Sequence, residues 1–241
     1  MHTAQFFTGL LLIVLSIGFF FAARSRKLHG TQLSRAQTLD LRRPAQGRIY
    51  GKFQGTIVAE TSLTAPYSGR PSVVWSARLE KGTEESDEDG TTTNWDTVWS
   101  KSAATPFHIS GTGELWFDER GGLPSMNAPK TFDQYIRDAS NPIIASYAPA
   151  GRGVLGRLSK PNFHAVETSF APGDHVFFIG PVEAVNGFWV ARPPQSKEYS
   201  VLTWKNEQQV RGGMGRGSFI WSFLSLLALV AGVLAIIASL S

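Results

Sequence analysis

Two apolar runs without a charge bracket this chain and set its architecture. Residues 3–23 contain no Asp, Glu, Lys or Arg, and neither do residues 218–241. As helices rising about 1.5 Å per residue, both are long enough to cross the roughly 30 Å of hydrocarbon in a bilayer. A helix is the expected form, because a lone spanning segment must satisfy its backbone hydrogen bonds internally. All 42 charged residues fall between Arg24 and Arg216. The chain therefore divides into a transmembrane helix over 3–23, a basic juxtamembrane linker over 24–46, a β-rich soluble domain over 47–205, a Gly-rich hinge over 206–217 and a second transmembrane helix over 218–240. A cleaved signal peptide is the rival for the first run, but its flanks are wrong. Met1 and His2 supply no basic n-region, and the positive charges follow the apolar run instead.

Small residues four apart share a helix face and allow backbones to approach. Gly18 and Ala22 on the first run, with Ala228 and Gly232 on the second, predict helix packing there. Between the runs the pattern changes to period two. Val73, Trp75, Ala77 and Leu79 alternate with Val74, Ser76, Arg78 and Glu80, as in a half-buried strand. Apolar runs around Ser110-Gly111-Thr112-Gly113 predict a hairpin. Residues 174–180, 187–191 and 199–204 read as further strands, and residues 132–138 as one short helix. Acidic residues crowd positions 84–89, which read as a solvated loop continuing through Thr91 to Thr93. In the segment Pro66-Tyr67-Ser68-Gly69-Arg70-Pro71, the fixed φ of Pro66 and Pro71 and the freedom of Gly69 predict a structural turn. Short strands between Gly/Pro turns predict a mainly β fold, an antiparallel sandwich or partly open barrel, with two flanking transmembrane helices.

Chemistry is harder to find. The 241 residues include no cysteine. That removes disulfides, thiolate nucleophiles, Cys-ligated zinc and iron–sulfur clusters. The histidines at 2, 29, 108, 164 and 175 are too scattered for a helix-borne metal pair. Asp87-Glu88-Asp89-Gly90 does not have EF-hand spacing. Gly151-x-Gly153-x-x-Gly156 lies between Pro149 and Pro161, so it lacks the strand-then-helix setting of a phosphate loop. Asp118-Glu119 reads as a solvated turn. A formal charge of +4 suits an anionic lipid surface better than nucleic acid, since no basic stripe runs among the aromatics. No cofactor, metal or catalytic residue is expected. Trp95, Trp99, Trp116 and Trp189 are the candidate docking residues, because Trp dominates binding hot spots.

Several segments resemble one family in order. They are Gly51-x-x-x-Gly55-Thr56-Ile57; the run from Leu63 through Pro66, Ser68, Gly69 and Pro71 to Trp75; Trp95 to Trp99; Pro106-Phe107; Gly111-x-Gly113-x-Leu115; and Pro172-Gly173-Asp174-His175-Val176 through Gly180. Together they span about 47–191 and are similar to the GIDE, or beside-a-membrane, domain. Ser72 and Ala65 stand where that family often has Cys and Ser. The resemblance implies a β-rich module held beside a bilayer that binds a partner. Mitochondrial members are ubiquitin ligases with a RING after the second helix. This chain has no cysteine, so no RING and no ligase activity are expected. The expected role is a non-enzymatic scaffold or accessory subunit that docks other integral membrane proteins. The alternatives are a component beside a separate ligase chain, or a lipid-binding membrane organiser.

Orientation follows from basic residues at the helix ends. Arg24, Arg26 and Lys27 follow the first helix, and Arg211 and Arg216 precede the second. Positive flanks stay in the cytoplasm, which puts the soluble domain there and both termini opposite. Reporter fusions at Ser241 should read non-cytoplasmic, and a label in residues 84–89 cytoplasmic. The reverse pattern would contradict the orientation.

Overall fold

The computed structural model describes residues 2–42, 47–87, 90–117, 124–138, 140–148, 162–195 and 198–240. Five strands close on themselves into a partly closed barrel. They are β2 (Arg48–Val58), β7 (Phe107–Ser110), β8 (Glu114–Phe117), β13 (Phe188–Ala191) and β12 (His175–Val185). The β2–β7, β7–β8, β13–β12 and β12–β2 contacts are antiparallel. The seam is parallel and short, pairing Trp189 with Leu115 and Val190 with Trp116. Alternate residues point inward, so Phe53, Ile57, Phe107, Ile109, Leu115, Phe117, Val176, Phe178 and Val182 fill one core. Phe107 and Phe117 stack across the hairpin at 4.8 Å. At the barrel edge, β14 (Val201–Thr203) pairs with β12 and with β9 (Ser125–Asn127).

A second sheet runs in the order β10 (Lys130–Ile136), β11 (Phe163–Phe170), β5 (Val74–Asp87), β6 (Gly90–Ala104). Here two sequence expectations are corrected. Residues 132–136 are strand, not helix, because β10 pairs with β11 from Lys130↔Thr168 to Ile136↔Phe163. Phe132 and Ile136 pack into the core on that pairing. The acidic segment is not a wide loop either. The ladder continues to Asp87↔Gly90, with Glu84 opposite Thr93. The β-branched threonines suit a strand and give the acids uncharged partners. Since β11 stops pairing at Lys81, the last six residues of β5 form a two-stranded ribbon projecting about 20 Å. One face of this sheet packs Leu79, Phe163 and Ala165 under the helix α2 (Pro142–Tyr147). Asn141 caps α2 by accepting the Ile143 N–H at 2.9 Å.

Two 34-residue helices, α1 (His2–Arg35) and α3 (Glu207–Leu240), are long and apolar enough to cross a membrane. Only 17% and 6% of their apolar windows are buried, unlike the core helix of a globular domain. They pack against each other, antiparallel. Ser16 Oγ donates to the Ser225 carbonyl at 2.9 Å, and Ser225 Oγ returns a bond to the Ser16 carbonyl at 2.9 Å. One turn away Phe19 meets Trp221 at 5.2 Å. A Cβ on Gly9 would lie 2.8 Å from the Gly232 carbonyl, and one on Gly232 2.9 Å from the Gly9 carbonyl. Gly232 is thus at the contact as expected, but a Cβ on Gly18 would meet nothing within 4 Å. Ala22 and Ala228 are half-buried. The buried stripe is Gly9, Ser16 and Ala23, spaced by seven rather than four, matching a shallow crossing.

Both helices continue past their apolar runs. α1 extends to Arg35, so the first half of the expected 24–46 linker is helical. Leu33 is fully buried with Phe177, Ile179 and Val201. After it, β1 (Gln37–Thr38) pairs with β2, and Leu39 and Leu41 enter the barrel core. The expected Gly-rich hinge is also helical, since α3 begins at Glu207. Val210 and Met214 pack on the Leu33 cluster, and that tertiary contact offsets the poor helix propensity of glycine.

The absence of native cysteine makes this pairing easy to test. The double variant Ser16→Cys/Ser225→Cys should oxidise to an intrachain disulfide in detergent. Adding Gly232→Leu, whose side chain meets the Gly9 backbone, should suppress it. Cross-linking that is absent at first, or unaffected by Gly232→Leu, would contradict the packing.

Candidate functional site

Two of the segments that carry the family resemblance meet in space. The turn over 65–70 joins β3 (Leu63–Thr64) to β4 (Pro71–Ser72). Gly69 holds φ at +68° and donates its N–H to the Ala65 carbonyl at 3.0 Å. Beneath the turn lies Glu167 of β11, fully buried. Its carboxylate accepts from the Tyr67 N–H at 2.7 Å, the Ser68 hydroxyl at 2.5 Å and the Thr131 hydroxyl at 2.8 Å, with the Ser68 N–H at 3.3 Å. These bonds from neutral donors give the buried carboxyl the partners that burial requires. Beside it Arg70 pairs with Asp174 at 2.7 Å, and Asp174 also accepts the Ala171 N–H at 2.8 Å. The Val73 N–H closes the junction on the Phe170 carbonyl at 2.8 Å. Burial, with Tyr147 and Glu167 close by, pushes the Tyr67 hydroxyl pKa upward. Glu167 and Asp174 bond backbone N–H groups and Arg70 bonds Asp174, so the junction is structural.

The outer face of the second sheet is different. His164 lies between two carboxylates, Nδ1 3.0 Å from Glu80 and Nε2 2.6 Å from Asp133. A carboxylate only accepts, so each contact needs an N–H on the ring nitrogen that faces it. Arg78 bonds Glu80 at 2.8 Å and Lys130 bonds Asp133 at 2.6 Å, extending the network to five charged or titratable groups. Bonds from Lys130, then His164, hold the Asp133 carboxyl below its ordinary value. Tyr135 stacks on His164 at 4.3 Å, and Trp95 meets Tyr135 at 5.6 Å. Trp95 also covers Gly82, where a Cβ would lie 3.1 Å from its ring. Tyr135 is 66% exposed and Trp95 36%.

The four candidate tryptophans therefore separate. Trp189 is buried in the barrel, which removes it as a docking residue. Trp99 is half-buried against Tyr147 at 4.5 Å and Tyr67 at 5.9 Å. Trp116 is half-buried on His108 at 4.5 Å. Trp95 remains at the surface. Sequence reasoning missed Tyr135, exposed at 66%. A strand reading of β10, alternating Tyr135 with Ile136, would have found it.

Comparisons with protein-family models, with curated proteins and with solved structures found nothing that matches this chain.

Among the described residues no cluster of three or more His, Asp or Glu is placed to hold a metal ion. The Gly151–Gly156 motif and Asp118-Glu119 lie outside the described residues. Of the membrane-flanking basic residues, Arg24 and Lys27 are exposed on α1. Arg211 is bound to Glu207 at 2.8 Å, which Lys52 of β2 also contacts at 2.8 Å. Arg26 and Arg216 fall within α1 and α3, and their side chains are outside the described residues. A cavity of about 280 Å³ lies where α1, α3 and β14 converge.

Two substitutions test the junction by different mechanisms. A Cβ on Gly69 would meet nothing within 4 Å, so Gly69→Val should cost about 1–3 kcal/mol, chiefly through backbone strain. Glu167→Ala leaves buried donors unpaired and should cost on the order of 3 kcal/mol or more. Urea unfolding followed by tryptophan fluorescence measures both. Unchanged midpoints would remove the junction from the account.

Proposed function

We propose that this chain is a two-pass integral membrane protein whose β-rich domain docks other integral membrane proteins as a non-enzymatic scaffold or accessory subunit. The observation that carries the reading is the outer sheet face. Trp95, at the base of the two-stranded ribbon, and Tyr135, on the edge strand β10, are exposed side by side, ringed by Arg78, Glu80, Lys130 and Asp133. An aromatic centre with a charged rim is the composition of a binding hot spot. Anchoring confines the face to the membrane plane and raises its effective concentration for neighbours there, so a weak interface suffices. A second reading draws on the meeting of the resemblance segments at Arg70 and Asp174. It makes the domain a GIDE-like module beside a separate catalytic chain.

Purification in mild detergent followed by mass spectrometry separates these readings. The scaffold reading expects a defined membrane partner, and the second expects one bearing a RING. Trp95→Ala and Tyr135→Ala should release the partner while shifting the melting temperature little. Trp189→Ala should instead destabilise the barrel by about 3–5 kcal/mol. Retention of the partner by both surface variants, or purification of the chain alone, would sink the docking face.

A further inference from the structure

The second sheet ends in β6 on one side, and that edge is open. Among the described residues no strand pairs with the side of β6 that faces away from β5. An edge strand presents a row of main-chain N–H and C=O groups to solvent, and folded proteins guard such rows with lysine, proline, bulges or short length. The opposite edge of the sheet follows that rule. β10 is seven residues long, is irregular in register between Lys130 and Phe132, and carries Lys130. β6 is fifteen residues long. Its guards sit toward its end, where Val98 is left out of the ladder between Glu80↔Thr97 and Leu79↔Trp99, and Lys101 follows. Residues 91–97 contain no lysine, arginine, proline or bulge. Threonine at 91, 92, 93 and 97 favours extended backbone there, and Thr92, Asn94, Trp95, Asp96 and Thr97 are exposed.

Charge decides what this edge accepts. Residues 82–97 contain Glu84, Glu85, Asp87, Glu88, Asp89 and Asp96 and no Lys or Arg, six formal negative charges in a chain whose total is +4. Neighbouring strands lie about 4.8 Å apart. A segment added to β6 therefore comes within about 10 Å of the acids on β5, roughly one Debye length at 0.1 M salt. A second copy of the chain would bring six like charges against six, which opposes pairing of β6 with itself. Anionic lipid and nucleic acid are repelled in the same way. A polypeptide bearing basic residues is attracted.

We infer that β6 accepts an extended, lysine- or arginine-bearing segment of a partner protein as an added strand over residues 91–97. Main-chain hydrogen bonds supply the affinity and side chains the selection. Trp95 stands on the same strand at the surface, so a side chain of the added strand packs beside the indole. The inference rests on the docking read from Trp95 and Tyr135, and gives that docking a mode and a partner chemistry.

Fluorescence anisotropy with the full chain in a non-ionic detergent tests it. The probe is a short labelled peptide of alternating valine and lysine. One control is the same peptide N-methylated throughout, which keeps the charge and removes the main-chain donors. The other alternates valine with glutamate. Each control should bind at least about tenfold more weakly than the probe. The variant Glu84→Gln/Glu85→Gln/Asp87→Asn should keep its melting temperature and bind the probe about tenfold more weakly. Amide exchange over residues 91–97 should slow at alternate positions when the probe is bound. No binding of the probe, equal binding of its methylated form, or exchange that slows only on β5 or not at all would overturn strand addition at β6. Equal binding of the glutamate peptide, or a folded triple variant that binds as the parent does, would overturn the basic partner. A free chain that is dimeric with residues 91–97 already protected would put a second copy on the edge and overturn it as well. The peptide assay uses no native partner, so its failure stays distinct from retention of the native partner by Trp95→Ala and Tyr135→Ala, which sinks the docking face.

Discussion

The pairing of α1 with α3 is the constraint on which the rest depends. In hydrocarbon there is no hydrophobic drive for two apolar helices to associate, so close packing and interhelical hydrogen bonds must supply it. The reciprocal serine bonds between Ser16 and Ser225, with Gly9 against Gly232, do this and pin the register. Register then decides what happens above the bilayer. It places Leu33 beside Val210 and Met214, and their shared cluster with Phe177, Ile179 and Val201 fastens the barrel to both helices at once. A slip of one turn would separate those residues and open a void at the foot of the domain.

That arrangement changes the picture of a domain swinging on a glycine linker. Residues 24–35 and 207–217 are helical extensions of the membrane segments, about 16–18 Å long. They form a two-helix stalk packed against the barrel through the Leu33 cluster. The acidic and basic side chains above it mostly hold structure. Glu167 orders a turn, Arg70 with Asp174 ties that turn to the barrel, and Lys52 with Glu207 ties the barrel to α3. On the outer face of the second sheet, aromatic and charged groups are left to solvent together.

Much of this was legible in the sequence where one local pattern had one meaning. The charge-free runs gave both long helices, and period-two alternation gave the strands around Trp75 and Ile109. Gly69 between prolines announced its positive φ. The failures occurred where distant contacts chose between local options. The 132–136 stretch becomes strand because β11 is beside it. The glycines over 212–217 stay helical because Val210 and Met214 have Leu33 to pack on. Small residues at a spacing of four suggest one contact face, whereas the antiparallel pair uses a spacing of seven, visible as Gly9, Ser16 and Ala23. Trp189 is a docking candidate in the sequence but core in the structure, because a strand pattern does not say which of its faces is inside. Its partner across the seam, Leu115, lies 74 residues earlier.

The stalk is the most direct point of test, and amide hydrogen exchange on the full chain in lipid nanodiscs reads it. Residues 24–35 and 207–214 lie outside the charge-free runs, so exchange there reports helical structure rather than burial in lipid. If helix pairing and the Leu33 cluster hold the domain as described, these amides exchange slowly, comparably with the barrel strands β2 and β12. Exchange within seconds across residues 207–214, with a protected barrel, would show a free hinge and contradict the account.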